Sequence, residues 1–232
     1  MIDWHSHILP KMDDGSHNLA ESILLVGMQE SQGIDVVIAT PHFYANDETV
    51  DSFLNRRESA YELLKNELPE GSPQILLGAE VRYYQGISRM EGLKALRIEN
   101  SKLLLLEMPM SSWTEYMIRE LIELSVRSDI KIVLAHIERY LALQSQNTWN
   151  RILESGILMQ VNAGFFNSFA SRQKALRILK EGDVQFIGSD CHNTTLRPPK
   201  IGKAFEIIKR KLGEEYIQQM NEYGSALLTA KK

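Results

Sequence analysis

The 232-residue chain lacks the features that would place it in several large classes. It has one cysteine, Cys191, so no disulfide forms within it. No run approaches the roughly 18 apolar residues of a membrane span. Apolar stretches such as Leu103-Leu104-Leu105-Leu106 have the length of buried strands, and membrane insertion is not expected. Basic residues are not in surplus: 26 Lys and Arg against 30 Asp and Glu give a net charge of -4. Binding to a polynucleotide backbone therefore has no electrostatic support, and nucleic acid is not an expected partner. The opening Met1-Ile2-Asp3-Trp4-His5 is polar from its third residue and fits no signal peptide, so a cytoplasmic chain is expected. No repeat, low-complexity tract or long Pro/Gly/Ser linker divides the sequence, and one domain over residues 1–232 is expected.

What is present is an alternation of short β-branched or leucine-rich runs with segments of helical period, the pattern of βα units around a parallel sheet. Strands are expected at 2–8, 35–40, 74–78, 103–107, 131–135, 158–162 and 184–188. Helices are expected at 19–32, 50–67, 114–127, 147–154, 171–181, 201–212 and 214–220, with a short one after Gly224. Asn18 is a plausible N-cap for the first helix, with Glu21 three residues on. Seven such units predict an α/β barrel.

Parallel α/β folds gather their chemistry at the carboxyl ends of the strands. Six of the seven expected strands end in a potential ligand: His5 and His7, His42, Glu80, Glu107, His136, and Asp190 with His192. A lone histidine or glutamate there is commonly structural. The set as a whole argues otherwise. His5 and His7 share one side of a strand, because side-chain direction has period two, and such a pair is a ready metal fork. Asp13-Asp14-Gly15 adds carboxylates just downstream. Imidazole and carboxylate without thiolate suit Zn, Mn or Fe, and one four-coordinate ion cannot use so many ligands. A multinuclear site generates hydroxide at neutral pH and clamps attacking and leaving oxygens, as phosphoester hydrolysis requires. Arg139 and Arg197, close in sequence to His136 and His192, offer forked donors to phosphate oxygens.

Cys191 to Arg197 also reads C-x5-R, the spacing of cysteine-dependent phosphatases. That chemistry wants a glycine-bearing loop of amide donors and a lowered thiol pKa. His192–Leu196 contains no glycine and Pro198-Pro199 removes two donors, so Cys191 is expected to be a packing residue.

His5-Ser6-His7 with Asp14-Gly15, Ala39-Thr40-Pro41-His42, Gly78-Ala79-Glu80, Glu107, Ala135-His136-Ile137-Glu138-Arg139 and Ser189-Asp190-Cys191-His192-Asn193 occur in the order of the polymerase-and-histidinol-phosphatase (PHP) metallophosphoesterases. The chain resembles that family from residue 2 to about 210, and within it the CpsB/YwqE type of capsule and exopolysaccharide protein-tyrosine phosphatases. The resemblance implies a distorted (β/α)7 TIM-like barrel and three divalent ions, often manganese. His5, His7, Glu80 and Asp190 would hold one ion; Glu80, Glu107 and His136 a second; Asp14, His42 and His192 a third, with Asp13 as the alternative to Asp14. Arg139 and Arg197 would bind phosphate, and a bacterial tyrosine kinase tail is the implied partner. Metal-activated hydroxide attack on phosphotyrosine is the expected reaction, with His42 or His192 as candidate proton donors. Among Tyr83, Tyr84, Trp113 and Tyr140, the last is chosen to stack on the substrate ring. A small phosphoester such as histidinol phosphate, or nucleic-acid ends, is the rival substrate class, and a non-catalytic metal-binding regulator of a kinase is the rival function.

Overall fold

The computed structural model describes residues 1–229. Among them, nine strand segments and seven α-helices follow one another. β1 (Ile2–Ser6) leads to α1 (Leu19–Glu30), β2 (Val36–Ala39), β3 (His42–Phe43) and α2 (Val50–Lys65). β4 (Gln74–Leu77), β5 (Glu80–Arg82) and β6 (Leu103–Glu107) precede α3 (Glu115–Ser125). β7 (Lys131–Leu134), α4 (Gln146–Glu154), β8 (Leu158–Asn162), α5 (Phe169–Lys180) and β9 (Phe186–Gly188) come next, then α6 (Ile201–Leu212) and α7 (Glu214–Thr229). Asn18 caps α1 as expected, its Oδ1 accepting the N–H of Glu21 at 3.0 Å.

Every strand pair is parallel, in the orders β1-β2-β4 and β3-β5-β6-β7-β8-β9. Seven of the nine segments fall on the seven expected strands, and β3 and β5 are additional, each continuing an expected strand beyond a break. β2 and β3 part at Thr40-Pro41, and β4 and β5 at Gly78-Ala79. Proline has no N–H to give to a ladder. The breaks lie side by side and are stitched by Gly78 N–H to the Ala39 carbonyl at 2.8 Å and Glu80 N–H to the Pro41 carbonyl at 3.0 Å. The sheet curls until its last strand reaches its first, where Asp190 N–H donates to the His5 carbonyl at 2.8 Å and His7 N–H to the Cys191 carbonyl at 2.9 Å. The result is an α/β barrel, as the pattern of βα units predicts, with the distortion that the family resemblance implies.

Alternation along each strand divides the core. On β6, Leu104 and Leu106 meet the helix layer, while Leu103 and Leu105 join Ile2, Trp4, Ile38, Val133 and Phe186 inside the curl. Each fully buried leucine contributes about 1.5–3 kcal/mol of transfer free energy. The lower end of the interior is closed by α7, whose Leu228 joins the inner cluster. The expected break of this helix before Gly224 does not occur. A Cβ at Gly224 would stand 2.4 Å from the Trp4 ring, so the glycine marks a close approach of the helix to the barrel floor. No helix among the described residues is long and apolar enough to cross a membrane.

Candidate metal centre

At the upper end of the barrel the strands change character. The register of β1 against β2 slips between Asp3 and Ser6, where three steps on one strand face two on the other. This bulge lets His5 follow Trp4 inward, and His7 joins it two residues later. Gly188 on β9 makes the space, since a Cβ there would lie 2.4 Å from that of His5. His136 and Asp190 deliver their side chains from left-handed backbone, at φ 35° and 51°. Such conformations cost roughly 1–2 kcal/mol each outside glycine. They are held by Gln160 Oε1, which accepts the His136 N–H at 2.7 Å, and by the Asp190–His5 backbone bond.

Most of the imidazoles are oriented in the same way. His7 Nδ1 lies 2.7 Å from Asp13 Oδ2, His192 Nδ1 3.0 Å from the Asp190 carbonyl, and His5 Nδ1 3.3 Å from Gln160 Oε1. His136 Nδ1 is 3.3 Å from the Tyr140 hydroxyl. Fixing Nδ1 frees Nε2 to face the centre, the arrangement found behind metal-bound histidines. His42 differs, turning Nδ1 to Glu80 Oε2 at 3.1 Å. Glu80 occupies the middle. Its Oε2 is 3.0 Å from His5 Nε2 and 3.3 Å from His7 Nε2, and its Oε1 is 2.7 Å from His136 Nε2. Three overlapping ligand groups result: His5, His7 and Asp190; His7, Asp14, His42 and His192; and His42, Glu80 and Glu107. His136 completes the edge near Glu107, with Nε2 3.6 Å from Oε1.

The donor set fits divalent ions on a further observation. His42 Nδ1, His192 Nε2 and Glu107 Oε2 are buried without a hydrogen bond, the carboxylate oxygens 3.1 and 3.3 Å from the two imidazole nitrogens lying outside hydrogen-bonding geometry, which is costly unless a cation meets these atoms. Charge is unevenly divided. Burial opposes ionisation of Glu80, yet His5 and His136 hold its carboxyl well below the ordinary range. Burial would lower His7, but Asp13 and Glu80 raise it to about 10. Burial lowers His42 and His136, and with the neighbouring His7 charge brings His192 to about 4. These three imidazoles are neutral near pH 7, the state that binds metal and has no ring proton to spare for a leaving group.

Both expected arginines arrive, from the turn after His136 and the loop after β9. They converge on Asp190 Oδ2, with Arg139 Nη2 at 2.5 Å and Arg197 Nη2 at 2.8 Å. Tyr140 does not fill the expected role of a ring-stacking residue. It is fully buried, its hydroxyl accepting the Met108 N–H at 3.2 Å and meeting His136, so it buttresses that imidazole instead. Trp113 and Tyr83 are buried too, the latter donating its hydroxyl proton to Glu120 at 2.6 Å. Asp13 is likewise a support for His7 and for the backbone N–H groups of Gly15 and His42, while exposed Asp14 faces His42 and His192. Cys191 is buried between ligands, with Sγ 3.9 Å from Gln29 Nε2 and its thiol pushed up by burial.

Sequence reasoning missed Gln160 and Asn162, whose amides link His5 and His136 to Asp190: Gln160 Nε2 donates to Asn162 Oδ1 at 2.9 Å, and Asn162 Nδ2 to Asp190 Oδ2 at 2.7 Å. Their signal was two polar residues facing inward on β8, the one strand credited with no ligand. Asp3 was missed as well. It accepts the N–H of Ser189 at 2.7 Å and of His5 at 3.3 Å across the seam that closes the sheet.

A family profile described as capsular polysaccharide synthesis, CpsB/CapC, matches residues 1–227. The chain belongs to the CpsB/CapC family. The tyrosine-protein phosphatase CpsB of Streptococcus agalactiae is 32% identical over 95% of this chain and 94% of that protein. The tyrosine-protein phosphatase YwqE of Bacillus subtilis is 29% identical over 98% and 91%. A crystal structure from work on YwqE and Streptococcus pneumoniae CpsB, described there as unique metal-dependent tyrosine phosphatases, superposes with a TM-score of 0.83 at 25% identity, covering 100% of this chain and 96% of that one. The histidinol phosphate phosphatase of Lactococcus lactis shares the fold, with a TM-score of 0.56 at 13% identity over 90% and 92%.

Proposed function

We propose that this CpsB/CapC-family chain is a metal-dependent protein-tyrosine phosphatase of capsule or exopolysaccharide synthesis. It acts in the cytoplasm on the phosphorylated tail of a bacterial tyrosine kinase and carries three divalent ions, manganese by preference. The observation that carries this is the convergence of His5, His7, Asp14, His42, Glu80, Glu107, His136, Asp190 and His192 on one face, with Arg139 and Arg197 at its edge. As the family resemblance implies, His5, His7, Glu80 and Asp190 would hold one ion, Glu80, Glu107 and His136 a second, and Asp14, His42 and His192 a third; His7 lies near enough to join the third group and His42 to join Glu80 and Glu107. When bound, the ions supply an activated water for in-line attack and Lewis acidity toward the phosphoryl oxygens.

The protein's own part is positioning and charge. Arg139 and Arg197 present forked donors to the phosphoryl oxygens, and the share of their charge now spent on Asp190 is redirected as phosphate arrives. Glu80 draws His5, His7 and His136 together around one carboxylate. His42 and His192 act as ligands, since both are neutral near pH 7. Tyrosinate, with a solution pKa of about 10, leaves with little protonic help.

Elemental analysis of the purified protein, with hydrolysis of a phosphotyrosine peptide before and after chelation, tests this. Bound divalent metal and chelator-sensitive release of phosphate are expected. Faster turnover of histidinol phosphate or single-stranded DNA in the same panel would overturn the substrate. Three bound ions with no hydrolysis of any phosphoester would favour a metal-binding kinase regulator.

A further inference from the structure

One cavity opens beside the centre, of about 220 Å3, and runs from Arg139, Asp190 and Arg197 past Leu196 and Pro198 to Lys200. Its charges do not balance. Three cations line it, and its one carboxylate, Asp190, is already bonded to both arginines. Lys200, at the N-terminal end of α6, forms no ion pair among the described residues. Leu196 at the cavity's lip is 87% exposed, a large apolar side chain held in water beside a site for a macromolecular substrate. A phosphate dianion at the metal edge engages Arg139 and Arg197. Lys200 then remains as positive charge with nothing to neutralise it, within one or two residues' reach of a peptide whose tyrosine occupies the centre.

We propose that this cavity is a subsite for an acidic residue flanking the phosphotyrosine, with Lys200 as its specificity-determining charge and Leu196 and Pro198 as its apolar wall. The proposal rests on the phosphotyrosine reading of the neighbouring centre and adds a sequence preference to it. A substrate segment rich in Asp or Glu next to the phosphorylated tyrosine matches the excess charge, and a basic segment is repelled.

Two phosphotyrosine peptides that differ only in flanking glutamate or glutamine separate the possibilities, read as a ratio of kcat/KM values. The wild-type protein is expected to favour the glutamate peptide about 3- to 5-fold at low salt, with the preference fading as salt rises. Lys200→Ala should bring the ratio to about one, and Lys200→Glu should invert it. Non-hydrolysable phosphonate versions of both peptides, titrated by fluorescence anisotropy, read the same preference without turnover. A ratio that Lys200→Ala and Lys200→Glu leave unchanged, or a wild-type ratio of one in both assays, overturns the subsite. Charge-selective binding that is lost in Lys200→Ala while no peptide is hydrolysed would support the subsite and count instead against the phosphatase.

Discussion

The lower and upper halves of the barrel are built on the same strands and obey opposite rules. Below, Ile2, Trp4, Ile38, Leu103, Leu105, Val133 and Phe186 pack into an apolar plug, with Phe186 stacked on Trp4 at a centroid distance of 4.0 Å. Above, the side chains that enter the same space are His5, Glu80, His136 and Gln160, buried as completely and charged or hydrogen-bonded throughout. The changeover takes one residue or a few: Trp4 to His5 on β1, Leu105 to Glu107 on β6, Ala135 to His136 after β7. The lower half stabilises the fold with no bearing on chemistry. The upper half sets charges against one another that metal would reconcile.

That division predicts that function and stability fail separately. Glu80→Gln should lower hydrolysis of a phosphotyrosine peptide by about a thousandfold, the equivalent of roughly 4 kcal/mol of lost transition-state stabilisation, and reduce bound metal in elemental analysis. Its metal-free form should melt within a few degrees of the wild type. Phe186→Ala should do the reverse, costing about 3–5 kcal/mol in denaturant unfolding while the fraction that remains folded keeps its metal. Loss of metal stoichiometry in folded Phe186→Ala would show that the two halves are not independent.

Between these extremes lie the residues that hold the ligands. Tyr140→Phe and Asp13→Asn each remove a partner of an imidazole Nδ1 and should weaken metal affinity by about 10- to 100-fold, measured by competition with a chromophoric chelator. Asp13→Asn should be the more damaging, since it removes a charge as well as an orientation.

Why some of this was legible in the sequence and some was not follows from the same division. The candidate ligands could be named because histidine, glutamate and aspartate at the ends of strands contradict the apolar pattern around them. The strand breaks at Pro41 and Gly78 were signalled by residues that interrupt ladders, yet their matching register depends on two strands being neighbours. The left-handed backbone at His136 and Asp190 carried no glycine to announce it. Tyr140 was misjudged because proximity in sequence to His136 says nothing about which way a phenol points. The bulge at Trp4–His5 could not be foreseen from β1 alone, because a bulge is a property of a pair of strands.

A weaker effect comes from pH. With no metal, His7 titrates near 10 in the folded protein, above its ordinary value of about 6.5. A raised folded pKa contributes stability that is fully present below the unfolded value and is lost as pH rises through the folded one. The chelator-treated protein should therefore lose several degrees of melting temperature between pH 7 and 10. The metal-loaded protein should lack this dependence, because the ion displaces the same proton. Parallel melting curves for both forms across that range would refute the assignment of His7 as a ligand.

The smallest effect is expected at the residue that a spacing rule singles out. Cys191 stands six residues before Arg197, but its sulfur faces Gln29 on α1, and its backbone is committed to the seam with His7. Burial holds the thiol protonated, so it offers neither the thiolate nor the access that nucleophilic attack on phosphorus requires. Cys191→Ala should keep kcat/KM on a phosphotyrosine peptide within about twofold of the wild type. Native protein should resist iodoacetamide at pH 8 and become labelled only on unfolding. An inactive Cys191→Ala that still folds and binds metal, or rapid labelling of the native thiol with parallel loss of activity, would move the chemistry from the metal cluster to the cysteine.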